Sequence, residues 1–218
     1  MSFDAIMDLV LPSTLETLYM VVLSALLAVV IGLPLAILLF VIREDGLNPI
    51  SGLYRVLDVI INILRSFPFI ILMIVVLPLS SLLVGTKIGT TAAIVPLTIS
   101  AFPFITRLFE QEFTNVPKGL IDAAKSMGST NGEIVRKVLI PESMPGIIAH
   151  VTNLMIMLVG YSAMAGTIGG GGLGNLAIRY GYYRREEFVL WIAVLVIVII
   201  VQLMQWIGTK ISTSINKK

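Results

Sequence analysis

The chain has 218 residues, of which 57% are hydrophobic and 13% charged, with a mean hydropathy of +0.98. A soluble domain of this size carries about 25% charged residues, so the composition excludes the ordinary soluble class and leaves a polytopic membrane protein with no room for a separate soluble domain. The absence of cysteine excludes disulfides and thiolate metal sites, and the net charge of +2 says less than where the charges fall.

Residues 1–15 contain Asp4 and Asp8 and no Lys or Arg, unlike the basic start of a signal peptide, so no cleavage is expected. A first span is expected over 18–42, with Gly32 and Pro34 inside it; Pro34 should kink or loosen the helix. Residues 43–49 read as a turn. A second span is expected over 56–84. Its first part is unusual, because Asp58, Asn62, Arg65 and Ser66 stand among apolar residues ahead of Phe67-Pro68-Phe69. Ionisable groups at membrane depth are functional-site candidates. Asp58 reads better as a headgroup-level residue, whereas Arg65 reads equally as part of a solute path or as a snorkelling side chain. Pro68 should break the helix ladder there.

A third span is expected over 91–109, made irregular by Pro96 and Pro103, with Arg107, Glu110, Gln111 and Glu112 marking its exit into water. The longest polar island of the chain follows, over 121–141. Its first half is a short amphipathic helix with Asp122 near the start and Gly128 as the stop. Its second half has Ile134, Val138 and Leu139 on one face and Arg136 and Lys137 on the other, and Pro141 is expected to end it. Two short helices broken at Gly128 make a knob suited to docking into a cleft on a soluble partner; an ordinary solvated loop fits the same residues.

A fourth span, 146–166, starts after Pro145 and ends in small residues (Gly160, Ser162, Ala163, Ala165, Gly166) that permit close helix contact. The single histidine, His150, has no second metal ligand at useful spacing and reads as a packed or interfacial residue. Residues 169–174 spell a GxGxxG pattern, but no strand precedes it, so a dinucleotide site is rejected in favour of a sharp bend with close backbone approach. Residues 179–187 read as a polar loop with Tyr180, Tyr182 and Tyr183 at the interface, ahead of a fifth span over 188–207.

The island resembles the EAA loop of bacterial ABC importer permeases, in which Glu-Ala-Ala is followed by three residues, Gly, nine residues and Ile-x-Leu-Pro. Here Asp122-Ala123-Ala124 precedes Gly128 by that spacing, and Val138-Leu139-Ile140-Pro141 follows at the correct distance. Asp for Glu, Val for Ile and Ile for Leu are the departures. Residues 62–72, with Arg65-Ser66-Phe67-Pro68-Phe69, resemble the corresponding stretch of the methionine-type importer permeases, as do residues 159–166 and the Gly171-Gly172-Leu173-Gly174 run; Phe67 stands where that group has Ile.

The resemblance implies an all-α polytopic membrane protein of five transmembrane helices with a coupling loop over 113–144. It further implies a homodimer bound to two cytoplasmic ATPase subunits and served by an external substrate-binding lipoprotein, in the bacterial cytoplasmic membrane and surrounded by lipid. Such systems import methionine. Asp122, Ala123, Ala124, Gly128 and Pro141 would carry the coupling. Arg65, Ser66, Pro68, Tyr161, Ser162 and Met164 would line the solute path or gate, or simply pack helices. Five helices alone make a thin bundle, and a pair with a pore on its two-fold axis solves this.

Arg43, Arg55, Arg107, Lys118, Lys125, Arg136, Lys137, Lys210, Lys217 and Lys218 lie on the knob's side, against Lys87, Arg179, Arg184 and Arg185 on the other. The positive-inside rule then puts the knob and the C-terminus in the cytoplasm and the N-terminus outside. Neither Gly85-Thr86-Lys87 nor Gly208-Thr209-Lys210 has the glycine spacing of a nucleotide-binding P-loop, and no nucleophile–base pair is evident. The chain is therefore expected to be no enzyme and to hold no cofactor, with ATP and Mg bound by the partner ATPase, and no nucleic-acid partner is expected. The alternatives are a permease of the same class for another amino acid, an osmolyte or a peptide, and a stand-alone channel or carrier. The last should show repeated ionisable pore-lining residues, which these spans lack.

Overall fold

The computed structural model describes residues 3–215, all of whose regular structure is helical. Met1, Lys217 and Lys218, used above in reading the termini, lie outside that range. Four helical stretches, Ile6–Ile42, Thr90–Thr114, Asn131–Thr167 and Glu187–Ile215, are long and apolar enough to cross a membrane, and a bent pair makes a fifth candidate.

Helix α1 covers Phe3–Ile42 and begins well before the expected position 18. The extra turns are held by burial: Ile6 and Val10 pack with Leu173, Leu176 and Val189 from the far end of the chain. Further along, α1 lies on α4 (Thr90–Thr114), the central helix, where Gly32 sets the approach. A Cβ there would stand 2.7 Å from Ile105 Cγ2. Leu97, Ala101, Ile105, Phe109 and Phe113 on α4 are the spine of the main core, with Met20, Ala28, Leu154 and Leu158 around them. Burial of a Leu or Phe of this kind stabilises by about 1.5–3 kcal/mol in water; within lipid, dispersion and shape replace much of that term.

The second expected span is not one helix. Helix α2 (Ser51–Ser66) and α3 (Phe69–Val84) meet at 106°. Phe67 (φ −73°, ψ 126°) and Pro68 (φ −57°, ψ 130°) are extended, since proline disfavours helix in the residue before it and cannot donate an N–H. The carbonyl of Pro68 then accepts from the N–H groups of Ile71 and Leu72, both at 3.0 Å, and starts α3.

The third span also differs from expectation. Helix α4 continues to Thr114, past the expected 109. Arg107 and Glu110 pack against α2. Arg107 Nη1 donates to Glu110 Oε2 at 2.5 Å, Nη2 pairs with Asp58, and Tyr54 Oη donates to Glu110 Oε1 at 2.9 Å. Asp58 ties α2 to α4, a contact that its reading as a headgroup-level residue did not include. Arg107→Met would leave the buried Glu110 carboxylate with only Tyr54, and should cost roughly 1–3 kcal/mol, below the range for fully buried pairs because Asp58 is partly exposed. Thermal unfolding in detergent checks this, with Lys118→Met as the neutral comparison: its 3.6 Å pair with Asp45 lies at the surface.

Helices α5 (Lys118–Ser126) and α6 (Asn131–Ile134) form the knob. Pro141 does not end the second half. A π-helical turn, Val135–Leu139, carries the chain from α6 straight into α7 (Ile140–Thr167), and Ile140 N–H bonds to Val135 O in the wider i→i+5 pattern. Pro141 falls in the first turn after that widening, where the missing N–H and the ring are tolerated. The glycine run gives a sharp turn, as expected, then a short helix α8 (Gly172–Leu176) and a second π-helical turn, Ala177–Tyr182, in place of a simple polar loop. Helix α9 (Glu187–Ile215) extends two turns past the expected 207, because Gly208 seats directly on Thr152 of α7 and Ser212 Oγ donates to Pro145 O at 2.8 Å.

Candidate functional site

Two regions collect the candidate residues. The first is the knob between α4 and α7. Pro117 opens α5, and every third or fourth residue turns inward: Ile121 and Ala124 join Phe113, Val116, Ile134 and Leu139 in the main core. The outward face carries Leu120, Ala123 and Met127, spaced i, i+3, i+7, with Met127 79% and Leu120 42% exposed. Asp122 and Ala123 are thus surface residues, whereas Ala124 is buried within its own chain and is a packing position of the knob. The sequence reading missed Leu120 and Met127, although their spacing was legible.

Helix α5 ends in a Schellman motif. Gly128 N–H donates to Lys125 O at 2.9 Å and Ser129 N–H to Ala124 O at 3.1 Å, with Gly128 at φ +80°. The next helix starts with a capping box: Glu133 N–H donates to Thr130 Oγ1 at 3.3 Å while Thr130 N–H donates to Glu133 Oε2 at 3.0 Å. Lys137 Nζ reaches Glu133 Oε1 at 2.9 Å. The Thr-x-x-Glu signature was present in the sequence and also went unread.

Two polar pairs lie at the base of the knob. Asp45, on the turn after α1, lies 2.5 Å from Arg43 and 3.6 Å from Lys118 at the start of α5. Slight burial pushes its carboxyl up, but these cations, Arg43 before Lys118, outweigh that and hold it below the ordinary value. Across the base, Glu112 at the end of α4 stands 3.5 Å from His150 Nε2 on α7, over Gly146, where a Cβ would fall on the Glu112 carboxylate. His150 is a packed residue in an ion-pairing position. A cavity of about 150 Å³ separates the α1–α2 turn from α5, with Asp122, Lys125, Arg43 and Phe113 in its wall.

The second region is the break between α2 and α3. A cleft of about 120 Å³ opens there, lined by Arg65, Phe69, Ser100, Phe104, Met157 and Tyr161 among others. The Phe69 and Tyr161 rings stack with centroids 4.4 Å apart and planes 11° from parallel. Of the expected path residues, Arg65 and Tyr161 are brought together here. Pro68 sets the bend that opens the cleft, and Ser66 Oγ donates to its own helix at Asn62 O (2.8 Å). Ser162 does not line the cleft: it is buried and donates to Val159 O at 2.7 Å. Met164 is exposed and lies outside the cleft wall. Phe69, Ser100, Phe104 and Met157 were missed, since uncharged residues from three helices carry no local signal of a shared wall. A second cavity of about 330 Å³ is also lined by Arg65, with Arg43, Arg107, Tyr54 and Glu110 in its wall.

Comparison with known proteins gives the same picture. The family model described as binding-protein-dependent transport system inner membrane component matches residues 28–217. The probable D-methionine transport system permease protein MetI of Pasteurella multocida is 53% identical over 203 residues, 93% of this chain and 94% of that protein. Its counterpart in Vibrio cholerae is 48% identical over 201 residues, 92% of this chain and 89% of that protein. A crystal form of the MetNI methionine ABC transporter in an inward-facing conformation contains a chain with a TM-score of 0.97 and 43% identity, covering 100% of both chains. An amino acid ABC transporter solved with histidines has the same fold at a TM-score of 0.72 and 22% identity. On a match over most of its length and on relatives near half identity across it, the chain belongs to the binding-protein-dependent transport system inner membrane components, on the MetI branch.

Proposed function

We propose that this chain is the permease subunit of an ATP-driven methionine importer. Two copies surround the solute path, the knobs face the cytoplasm and dock two ATPase subunits, and a binding lipoprotein delivers methionine from outside. The names of the relatives and of the solved complex support this reading. The observation that carries it is the exposed apolar stripe of Leu120, Ala123 and Met127 on a helix whose opposite face is sealed into the core. Such a stripe beside polar Asp122, Lys125 and Ser126 is an interface left open in the single chain.

The fold transmits force from that interface. Ile121 and Ala124 seat α5 on Phe113 of α4 and Leu139 before α7. From Asn131 the helix runs unbroken to Thr167. The rise from Asn131 to Tyr161 is about 45 Å at 1.5 Å per residue, so a displacement of the knob reaches the cleft wall through one lever. ATP closes the ATPases, the knobs approach each other, and rocking of the α4 and α7 levers switches the cavity from inward- to outward-facing.

The test is uptake of labelled methionine in proteoliposomes holding permease, ATPase and binding protein. ATP-dependent uptake is expected only with all three. Uptake by the permease alone would overturn the reading, and ATP-driven uptake of a different solute but no methionine would keep the class and remove the substrate. Ala123→Trp should abolish uptake and weaken ATPase co-purification at least tenfold, while the thermal midpoint of the permease stays within a few degrees. A fall in both together would make Ala123 a folding residue.

A further inference from the structure

Three arginines line the cleft at the α2–α3 break or the second cavity along α2 and α4: Arg43, Arg65 and Arg107. Arg43 is paired with Asp45, and Arg107 with Asp58 and Glu110. Arg65 alone of the three makes no ion pair among the described residues, and it lines both cavities. A guanidinium without an ion-pair partner in a cleft wall is a planar fork of donors suited to a carboxylate.

The rest of the wall has an equally definite chemistry. Ser100 Oγ donates its hydrogen to Leu97 O at 2.8 Å, so its remaining capacity is to accept. An acceptor of that kind suits an ammonium. The same wall holds the stacked Phe69 and Tyr161 rings, with Phe104 and Met157. This is a surface for an unbranched apolar or thioether chain, since sulfur makes favourable contacts with ring edges. A donor fork, a hydroxyl acceptor and an aromatic floor in one cleft match the three parts of a small apolar α-amino acid.

We propose that the cleft at the α2–α3 break is a solute-binding station within the permease itself, holding the carboxylate of an apolar or thioether α-amino acid on Arg65 and its side chain on Phe69 and Tyr161. The proposal rests on the permease reading above and adds to it a recognition step inside the membrane. Arg65 is then a specificity residue: it favours solutes with a free carboxylate over their amides.

The chain has no cysteine, so Leu64→Cys, at a wall residue with no assigned contact to the solute, gives one thiol in the cleft. In the assembled complex in liposomes, maleimide labelling of the permease is followed with increasing methionine or methioninamide. Methionine should protect the thiol, and methioninamide should need a concentration roughly tenfold to a hundredfold higher, as expected for loss of one charge-assisted contact. Adding Arg65→Gln should abolish that preference, with each variant's protection taken relative to its own labelling rate without ligand because a nearby guanidinium changes thiol reactivity; Arg65→Lys should restore part of it. Equal protection by acid and amide, or no protection in a complex that takes up methionine, would overturn the proposal and leave the permease function standing. Absence of methionine uptake by the unmutated complex would be a failure of the permease reading and would take this inference with it.

Discussion

Gly128→Pro should abolish ATP-dependent methionine uptake by the complete complex. Gly128 sits at φ +80°, and its N–H donates to Lys125 O while the next N–H closes on Ala124 O. Proline fixes φ near −65° and has no N–H, so neither the turn nor the first of these bonds can form. The reversal that places α5 against the helix starting at Asn131 is then lost, and the stripe of Leu120, Ala123 and Met127 loses its orientation. Gly128→Ala separates geometry from crowding. No atom lies within 4 Å of a Cβ at Gly128, so alanine meets only the left-handed backbone penalty, about 1–2 kcal/mol. The alanine variant should therefore retain measurable uptake and ATPase association, and the proline variant neither. Full uptake by Gly128→Pro would show that the knob's turn takes no part in coupling.

The legible and illegible parts of this chain divide by the range of the interaction involved. Gly128 was readable because a helix stop is a property of one residue and its immediate neighbours. The same holds for the Asp122-Ala123-Ala124 spacing, and it would have held for the Thr130 and Glu133 capping box. Pro68 was readable as a break, but not as a 106° turn between two helices, since the direction of α3 is set by packing on α4. Pro141 misled, because a π-helical turn upstream absorbed a residue that ends most helices. Arg107 and Glu110 were legible only as charges, because the pairing with Asp58 and Tyr54 comes from a helix 49 and 56 residues earlier in the chain. The cleft at Arg65 was half legible, through its one charged member.

The glycine run shows the same division at its most demanding point. Its letters suggested a phosphate loop and its setting suggested a bend, yet the actual constraint lies in contacts with α7 and α1. A Cβ at Gly174 would stand 2.6 Å from Ala163 O and nearer still to Ala163 Cα, and one at Gly166 would meet Asn175 N at 2.5 Å. The end of α7 and the start of α8 are in backbone contact from both sides. The turn between them is held by Gly172 N–H to Glu16 Oε2 at 2.6 Å, Leu173 N–H to Thr17 Oγ1 at 2.9 Å and Gly89 N–H to Gly169 O at 2.9 Å.

Gly174→Ala should accordingly be among the most damaging single-methyl changes in the chain. Overpacking costs about 1–3 kcal/mol where side chains can adjust. Here the opposing atoms are backbone, so α8 must move off α7 and release its bonds to Glu16 and Thr17. The expected result is a large loss of folded, detergent-stable permease, read as the yield of monodisperse protein by size exclusion. Gly160→Ala on the same α7 is the control. No atom of the chain lies within 4 Å of its Cβ, and alanine in a helix interior is favoured over glycine by about 1 kcal/mol, so its yield should match or exceed that of the unmutated chain. If Gly174→Ala instead folds as well as Gly160→Ala, the α7–α8 contact is looser than its geometry requires, and Glu16 and Thr17 alone hold the turn in place.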